Sequence, residues 1–221
     1  MPVDVKYVGE HSRRAVVNIS QAGNLDFRLA VNVTSPVKED SGLVSTRLLD
    51  EMQQLDPVIG RAHHIQEWKR LWMRSFMDYG DAYLNHLWHL TMYYALSCQG
   101  GKYPGRFNNG LWAWNRDVQN WNFYFHWNQQ QLYWPLHAAG HHDLLIPYLN
   151  YRFRSLPMAK ADAAKIFGAQ GAFIADVTER RGYNSSNESH NHTAVAEMAL
   201  DFWRYYQYTG DQRFLKDQAI P

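Results

Sequence analysis

Apolar and polar residues alternate in the first part of the chain. The alternation is regular over residues 25–33 (LDFRLAVNV), and a second apolar run lies at residues 16–19. A period of two is typical of a half-buried β-strand. Two strands are too few to stand alone, so we interpret residues 1–35 as the end of an N-terminal β-domain. Residues 36–59 then form a linker, with a short helix predicted near residues 44–52.

From residue 60 onward, apolar residues recur every three or four positions, which predicts amphipathic helices. Asp81 opens one of them, and Gly140 is expected to stop another. The predicted apolar stripes are Ile65, Trp68, Leu71, Trp72 and Phe76 on one helix and Leu84, Leu87, Trp88, Thr91 and Tyr94 on the next. Further helices are expected at residues 127–139, 143–154, 157–167 and 193–208, with a short one after the TGD segment. Such a series suits an array of antiparallel helical hairpins.

Two long polar loops interrupt these helices. The first spans residues 99–126 and is rich in Gly, Asn and Trp, and the second spans residues 180–192. Long loops without secondary structure in a compact domain are usually functional. We therefore expect the chemistry of the protein to lie in these two loops and in the helix starts that follow them.

The composition is that of a globular protein with an unusual share of aromatic residues. Hydrophobic residues make up 46% of the 221 residues and charged residues 19%, whereas aromatic residues reach 15%, with nine Trp. Flat rings beside many Asn, Gln and His side chains suggest a sugar ligand, because the C–H face of a pyranose stacks on a ring and its hydroxyls bind amides. We therefore expect an oligosaccharide or polysaccharide as substrate.

Several other classes of function are disfavoured. The 22 Lys and Arg nearly balance the 21 Asp and Glu, so no surplus of positive charge points to nucleic acid. No apolar run approaches the roughly 20 residues of a membrane span. Cys98 is the single cysteine, and adjacent histidines such as His141 and His142 point about 100° apart on a helix. With no P-loop, nucleophile elbow or dinucleotide motif either, we expect neither a metal nor another cofactor.

The first long loop and the helix after it predict a sugar pocket. Asn128 lies in the first turn of that helix, and we predict Asn128, His126 and Asp117 as catalytic residues. The predicted substrate contacts in this region are Trp112, Trp114, Asn115, Trp127, Gln130 and Trp134. In the alternative interpretation, the Trp residues pack the hairpins together and the amides cap helix ends.

The second loop adds two further candidates, Glu188 and His190. A carboxyl group near aromatic rings can act as a general acid, and we predict both residues as substrate contacts. In the alternative interpretation, the loop is solvated and only caps the helix that begins at Thr193.

Two segments resemble the catalytic domain of family 95 glycoside hydrolases, the inverting α-L-fucosidases and α-L-galactosidases. NNGLW at residues 108–112 and HWNQQQLYWPLHAAGHHDLL at residues 126–145 are similar to its signature, and WRYYQYTGDQRFL at residues 203–215 is similar to a later helix. Its N-x-N-x-x-x-x-Y-W-P run falls on Asn128, Tyr133, Trp134 and Pro135. The resemblance implies that residues 60–221 are the N-terminal part of an (α/α)6 toroid of helical hairpins.

The resemblance also implies a mechanism, with one departure. The family activates water with paired asparagines polarised by a carboxylate, and His126 stands here in the place of the first asparagine. The general-acid Glu and the orienting carboxylate would fall beyond Pro221. We therefore expect an inverting hydrolase of an α-linked sugar in plant or host glycans, of which this chain is an inactive fragment. Members of the family are mostly exported, so we expect a periplasmic or extracellular parent, although no signal segment is visible.

Three alternatives stay open. The chain could belong to another six-hairpin sugar enzyme, such as an epimerase or a phosphorylase. It could be a non-catalytic carbohydrate-binding or scaffold domain. It could also be a helical interaction domain in which all the Trp residues belong to the core.

Overall fold

The structure, a computed structural model, describes residues 3–9, 12–17, 41–101, 103–105, 124–179, 181–184 and 191–220. The chain divides into two compact units, Met1–Arg70 and Leu71–Pro221. The strand predicted at residues 25–33 lies outside the described residues, as do most of the two long loops. The described part of the chain is mainly α with a short β hairpin before the helices, which confirms the predicted fold class.

The first unit contains this hairpin and two helices. Strand β1 (Val3–Gly9) pairs antiparallel with β2 (Ser12–Val17). Helix α1 (Ser41–Gln54) confirms and extends the short helix predicted near residues 44–52. Helix α2 (Pro57–Trp72) begins three residues earlier than predicted and runs two residues into the second unit. Proline suits the first position of a helix because it needs no N–H partner there.

The second unit holds the remaining helices. They are α3 (Ala82–Cys98), α4 (His126–Gln130), α5 (Trp134–Ala138), α6 (Ile146–Phe167), α7 (Thr193–Thr209) and α8 (Gln212–Phe214). A 3₁₀ turn (His142–Leu145) precedes α6, and a π-helical turn (Leu215–Ala219) follows α8. Two short strands, β3 (Tyr124–Phe125) and β4 (Val177–Thr178), pair antiparallel.

Helix α3 starts as predicted but buries a different face. The Asp81 side chain accepts a hydrogen bond of 2.9 Å from the Leu84 backbone N–H, which caps the helix. The buried residues of α3 are Met92, Ala95 and Leu96. Leu84 is 44% exposed, and the residues expected on the buried side mostly line an open groove of about 320 Å³ instead. The predicted buried side was therefore wrong, because among the described residues the fully buried positions of α3 lie in its C-terminal half.

Two helix boundaries also differ from the prediction. Residues 127–139 form two short helices, because Pro135 cannot donate the hydrogen bond that would continue α4, and α5 starts beside it. Conversely, α6 runs unbroken through Pro157. Buried residues lie on both sides of that proline, Arg152 before it and Ala159 after it, so tertiary packing on both halves outweighs the one lost hydrogen bond. Gly140, with φ of 70°, ends α5 as predicted.

The described core lies where α5 and the start of α6 meet α7. Its fully buried members include Tyr133, Leu136, Leu145, Tyr148 and Leu149. The rings of Tyr133 and Tyr148 stack at 4.6 Å between centroids. Within the part of the chain that the structure describes, no helix combines the length and the apolar character that crossing a membrane requires.

Candidate functional site

The start of α4 is attached to the segment that contains β4. Tyr124 pairs with Thr178 and Phe125 with Val177. The ladder continues in a hydrogen bond of 2.9 Å from the His126 backbone N–H to the Asp176 carbonyl oxygen. Two segments about 50 residues apart in sequence therefore meet at the predicted catalytic helix start.

His126 lies between two carboxylates that belong to different elements. Its Nδ1 contacts Oδ1 of Asp176, and its Nε2 lies 3.4 Å from Oε2 of Glu197 on α7. The ring is 7% exposed, whereas both carboxylate side chains are partly open to solvent. An imidazole in contact with carboxylates can accept, hold or pass on a proton. The contacts fix this ring from both sides.

A buried arginine joins the two segments a second time. Arg152 on α6 donates from Nη2 to Oε1 of Gln129 at 2.7 Å and from Nη1 to Oγ1 of Thr178 at 2.9 Å. Its guanidinium also lies 5.0 Å from the centre of the Tyr151 ring. Among the described residues, no carboxylate lies within ion-pair distance of this cation. Arg152 thus clamps α4 to β4 through neutral partners.

Deeper in the core, the buried carboxylate of Asp201 accepts hydrogen bonds from four donors. Oδ2 accepts from Gln130 Nε2 at 2.5 Å and from the Tyr148 hydroxyl at 2.7 Å. Oδ1 accepts from Trp134 Nε1 at 2.8 Å and from Arg204 Nη1 at 3.3 Å. Burial, followed by the charge of Asp201, raises the pKa of Tyr148 well above its usual value, so the phenol remains a donor. One carboxylate therefore connects α4, α5, α6 and α7.

Two predicted substrate contacts, Gln130 and Trp134, direct their polar atoms to this buried network and not to solvent. Gln130 is fully buried, and both its Nε2 and the indole N–H of Trp134 are used by Asp201. A group enclosed in the core cannot reach a sugar, so Gln130 supports the site from within and does not line it. Trp134 is half-buried, with its polar atom directed inward.

Two other predicted residues stay accessible. Trp127 is 47% exposed, and Asn128 beside it is half-buried. The structure therefore brings together a fixed imidazole, an accessible amide and an accessible ring at the start of α4. The remaining predicted site residues lie outside the described residues: Trp112, Trp114, Asn115, Asp117, Glu188 and His190.

The sequence reasoning missed Asp176, Glu197, Asp201 and Arg152. For Asp201 a signal existed, because it shares the buried face of α7 with Met198, Phe202 and Tyr205 at helical spacing. An acidic residue on an apolar face predicts a buried, hydrogen-bonded carboxylate. For Asp176 and Glu197 no local pattern marks their role, since only the fold brings them to His126.

A second buried histidine lies near the network, at the end of α5. His137 is 4% exposed and stacks on Tyr208 at 4.9 Å between ring centroids. Burial, together with the nearby charge of His142, lowers the pKa of His137 to about 4. The ring is therefore neutral at physiological pH and behaves as part of the aromatic packing.

The helical core and the histidine–carboxylate cluster belong to a catalytic domain of glycoside hydrolases. The sequence profile of the glycosyl hydrolase family 95 catalytic domain matches residues 92–221, more than half of the chain. The chain therefore belongs to this family.

A named relative is consistent with that assignment. The chain is similar to kojibiose hydrolase of Flavobacterium johnsoniae, with 27% identity over 172 residues. The similarity covers 72% of the chain but 23% of that protein. The chain thus spans less than a quarter of the length of this relative.

Proposed function

We propose that this chain forms the water-activating part of the active site of an inverting glycoside hydrolase that cleaves an α-linked sugar. Membership of the family 95 catalytic domain supports the hydrolase class. The similarity to a protein named for hydrolysing kojibiose supports a disaccharide or longer glycan as substrate.

The observation that carries this proposal is the arrangement at the start of α4. His126 is fixed between Asp176 and Glu197, and Asn128 follows in the same turn on the accessible side. An amide oxygen at this position can accept a hydrogen bond from an attacking water. Trp127 exposes nearly half of its surface beside it and offers a face on which a pyranose can stack.

An inverting mechanism needs a base and an acid on opposite faces of the sugar, roughly 6.5–9.5 Å apart, with water on the base side. In our proposal Asn128 and His126 are on the water side. The general acid is expected outside this chain by the family resemblance, with Glu188 as the candidate within it. Hydrolysis is therefore to be measured on the intact enzyme that carries this chain.

The test replaces Asn128 by Ala in that enzyme and measures hydrolysis of kojibiose and of aryl α-L-fucosides and α-L-galactosides. Loss of water activation predicts a fall in kcat of about 10²–10⁴-fold with little change in sugar binding. Proton NMR of the first product should show the β-anomer. Gln131→Ala, an exposed amide next to α4, is the matched control and should keep full activity. Unchanged turnover in Asn128→Ala would reject the proposal.

The same experiment separates the alternatives. Cleavage that depends on inorganic phosphate would indicate a phosphorylase. Sugar-dependent quenching of Trp fluorescence without hydrolysis of any α-linked substrate would indicate a non-catalytic binding domain. We further propose a periplasmic or extracellular parent, which fractionation of the producing cells would test.

A further inference from the structure

The structure places a complete carboxylate–imidazole–carboxylate chain within these 221 residues. The family resemblance implied that the orienting carboxylate lies further along the protein. Here Asp176 and Glu197 both contact His126, one at each ring nitrogen. These two carboxylates have no counterpart in the predicted site.

Asp176 holds His126 at two points. Its carbonyl oxygen accepts the His126 backbone N–H at 2.9 Å, and its carboxylate contacts Nδ1 of the same residue. Backbone and ring are therefore held by one residue. The clamp from Arg152 to Thr178 and Gln129 keeps the segments on either side in place.

Glu197 reaches the ring from the opposite side and from another element. Its Oε2 is buried and, among the described residues, has no hydrogen-bond partner; its polar neighbour is Nε2 of His126 at 3.4 Å. Nδ1 of His126 likewise has no hydrogen-bond partner there, and its polar neighbour is Oδ1 of Asp176. A buried polar atom without a partner costs free energy, so each of these atoms depends on the cluster for its stabilisation. The rest of the Glu197 side chain is partly open to solvent.

We propose that Asp176 and Glu197 are the positioning residues of the site, which fix the orientation of the His126 ring and thereby the start of α4 that carries Asn128. This inference rests on the proposed function for its catalytic consequence. Asp176 contacts Nδ1 and Glu197 contacts Nε2, and both carboxylate side chains are partly exposed.

Two variants test the proposal separately, Asp176→Asn and Glu197→Gln, each nearly isosteric. The first readout uses the 221-residue chain with ¹⁵N-labelled histidine, in which the His126 ring signals are assigned by their loss in His126→Gln. We expect Glu197→Gln to shift the Nε2 signal and Asp176→Asn the Nδ1 signal. Asp217→Asn, a surface carboxylate paired with Arg213, is the control and should leave both signals unchanged.

The second readout is kinetic and uses the intact enzyme. Misplacing a catalytic group lowers kcat while leaving sugar binding largely intact, so each variant should lose about 10–100-fold in kcat with KM little changed. Ring signals unchanged in both variants, or shifted signals with unchanged kcat, would overturn the positioning role. If Asn128→Ala also leaves turnover intact, the proposed function itself fails. A loss in Asn128→Ala alone would overturn only this inference.

Discussion

The carboxylate of Asp201 connects four helices, and the Asp201→Asn variant tests how much it contributes to the stability of the fold. The side chain is 3% exposed and accepts hydrogen bonds from four donors on α4, α5, α6 and α7. Asparagine keeps the shape of the side chain but loses its charge and replaces one oxygen by an NH₂ group. Two of the four donor groups would then face the new NH₂ group, which is itself a donor and cannot accept their hydrogen bonds.

The expected loss follows from these contacts. A hydrogen bond to a charged group contributes about 1.5–3 kcal/mol, so losing two of them costs about 3–6 kcal/mol. Removing a buried charge recovers part of that desolvation cost. The Tyr148 hydroxyl can also rotate, so that its oxygen accepts from the new NH₂ group. We therefore expect Asp201→Asn to lower the free energy of unfolding by about 3 kcal/mol.

The measurement is urea unfolding of the 221-residue chain, followed by Trp fluorescence and far-UV circular dichroism. With an m-value of about 2 kcal/mol/M, the midpoint should fall by about 1.5 M. Asp217→Asn is again the matched control, because its ion pair with Arg213 lies on the surface, where such pairs contribute about 0–1 kcal/mol. An effect of Asp201→Asn no larger than that of the control would refute the idea that this carboxylate holds the four helices together.

Two further predictions concern stability. Because the pKa of His137 is lowered from 6.5 to about 4 in the folded protein, the unfolded chain binds a proton first as the pH falls. The contribution of His137 to stability should therefore be constant above pH 6.5 and fall by about 3 kcal/mol towards pH 4. His137→Phe should reduce this slope in urea titrations, and His142, whose pKa is also lowered, contributes the remainder. If the dependence of stability on pH is unchanged in His137→Phe, other titratable groups cause it. Gly182 has φ of 93°, and a Cβ there would lie 2.5 Å from Cβ of Ser155. Gly182→Ala should therefore cost about 1–3 kcal/mol in thermal unfolding, and an unchanged melting temperature would contradict this packing.

Much of the helical part of the chain could be predicted from local patterns. The helix predicted at residues 193–208 is α7, Thr193–Thr209, and Asp81 caps α3 as expected. These features depend on the periodicity of neighbouring residues and on single capping side chains, which are local properties. The break expected at Pro157 was wrong because α6 buries residues on both sides of it.

The candidate site was predictable only in part. The motif around His126 and Asn128 predicted a helix start, which the structure has at His126, because its residues are contiguous; its catalytic role stays a prediction. The interior position of Gln130 was not predictable, since it depends on Asp201, 71 residues further along the chain. Nor was the pairing of His126 with Asp176 and Glu197, whose side chains come from a loop and from α7.

The sequence by itself determined the helical class and the caps and stops of individual helices, and it pointed to the segment in which we propose the chemistry lies. Periodicity, capping and motif spacing act over a few residues and can be read without the fold. The tertiary structure alone decided which polar groups meet. Burial makes an unpartnered charge or amide costly, and the groups that satisfy Asp201 and Arg152 come from other elements, through packing that no local pattern encodes.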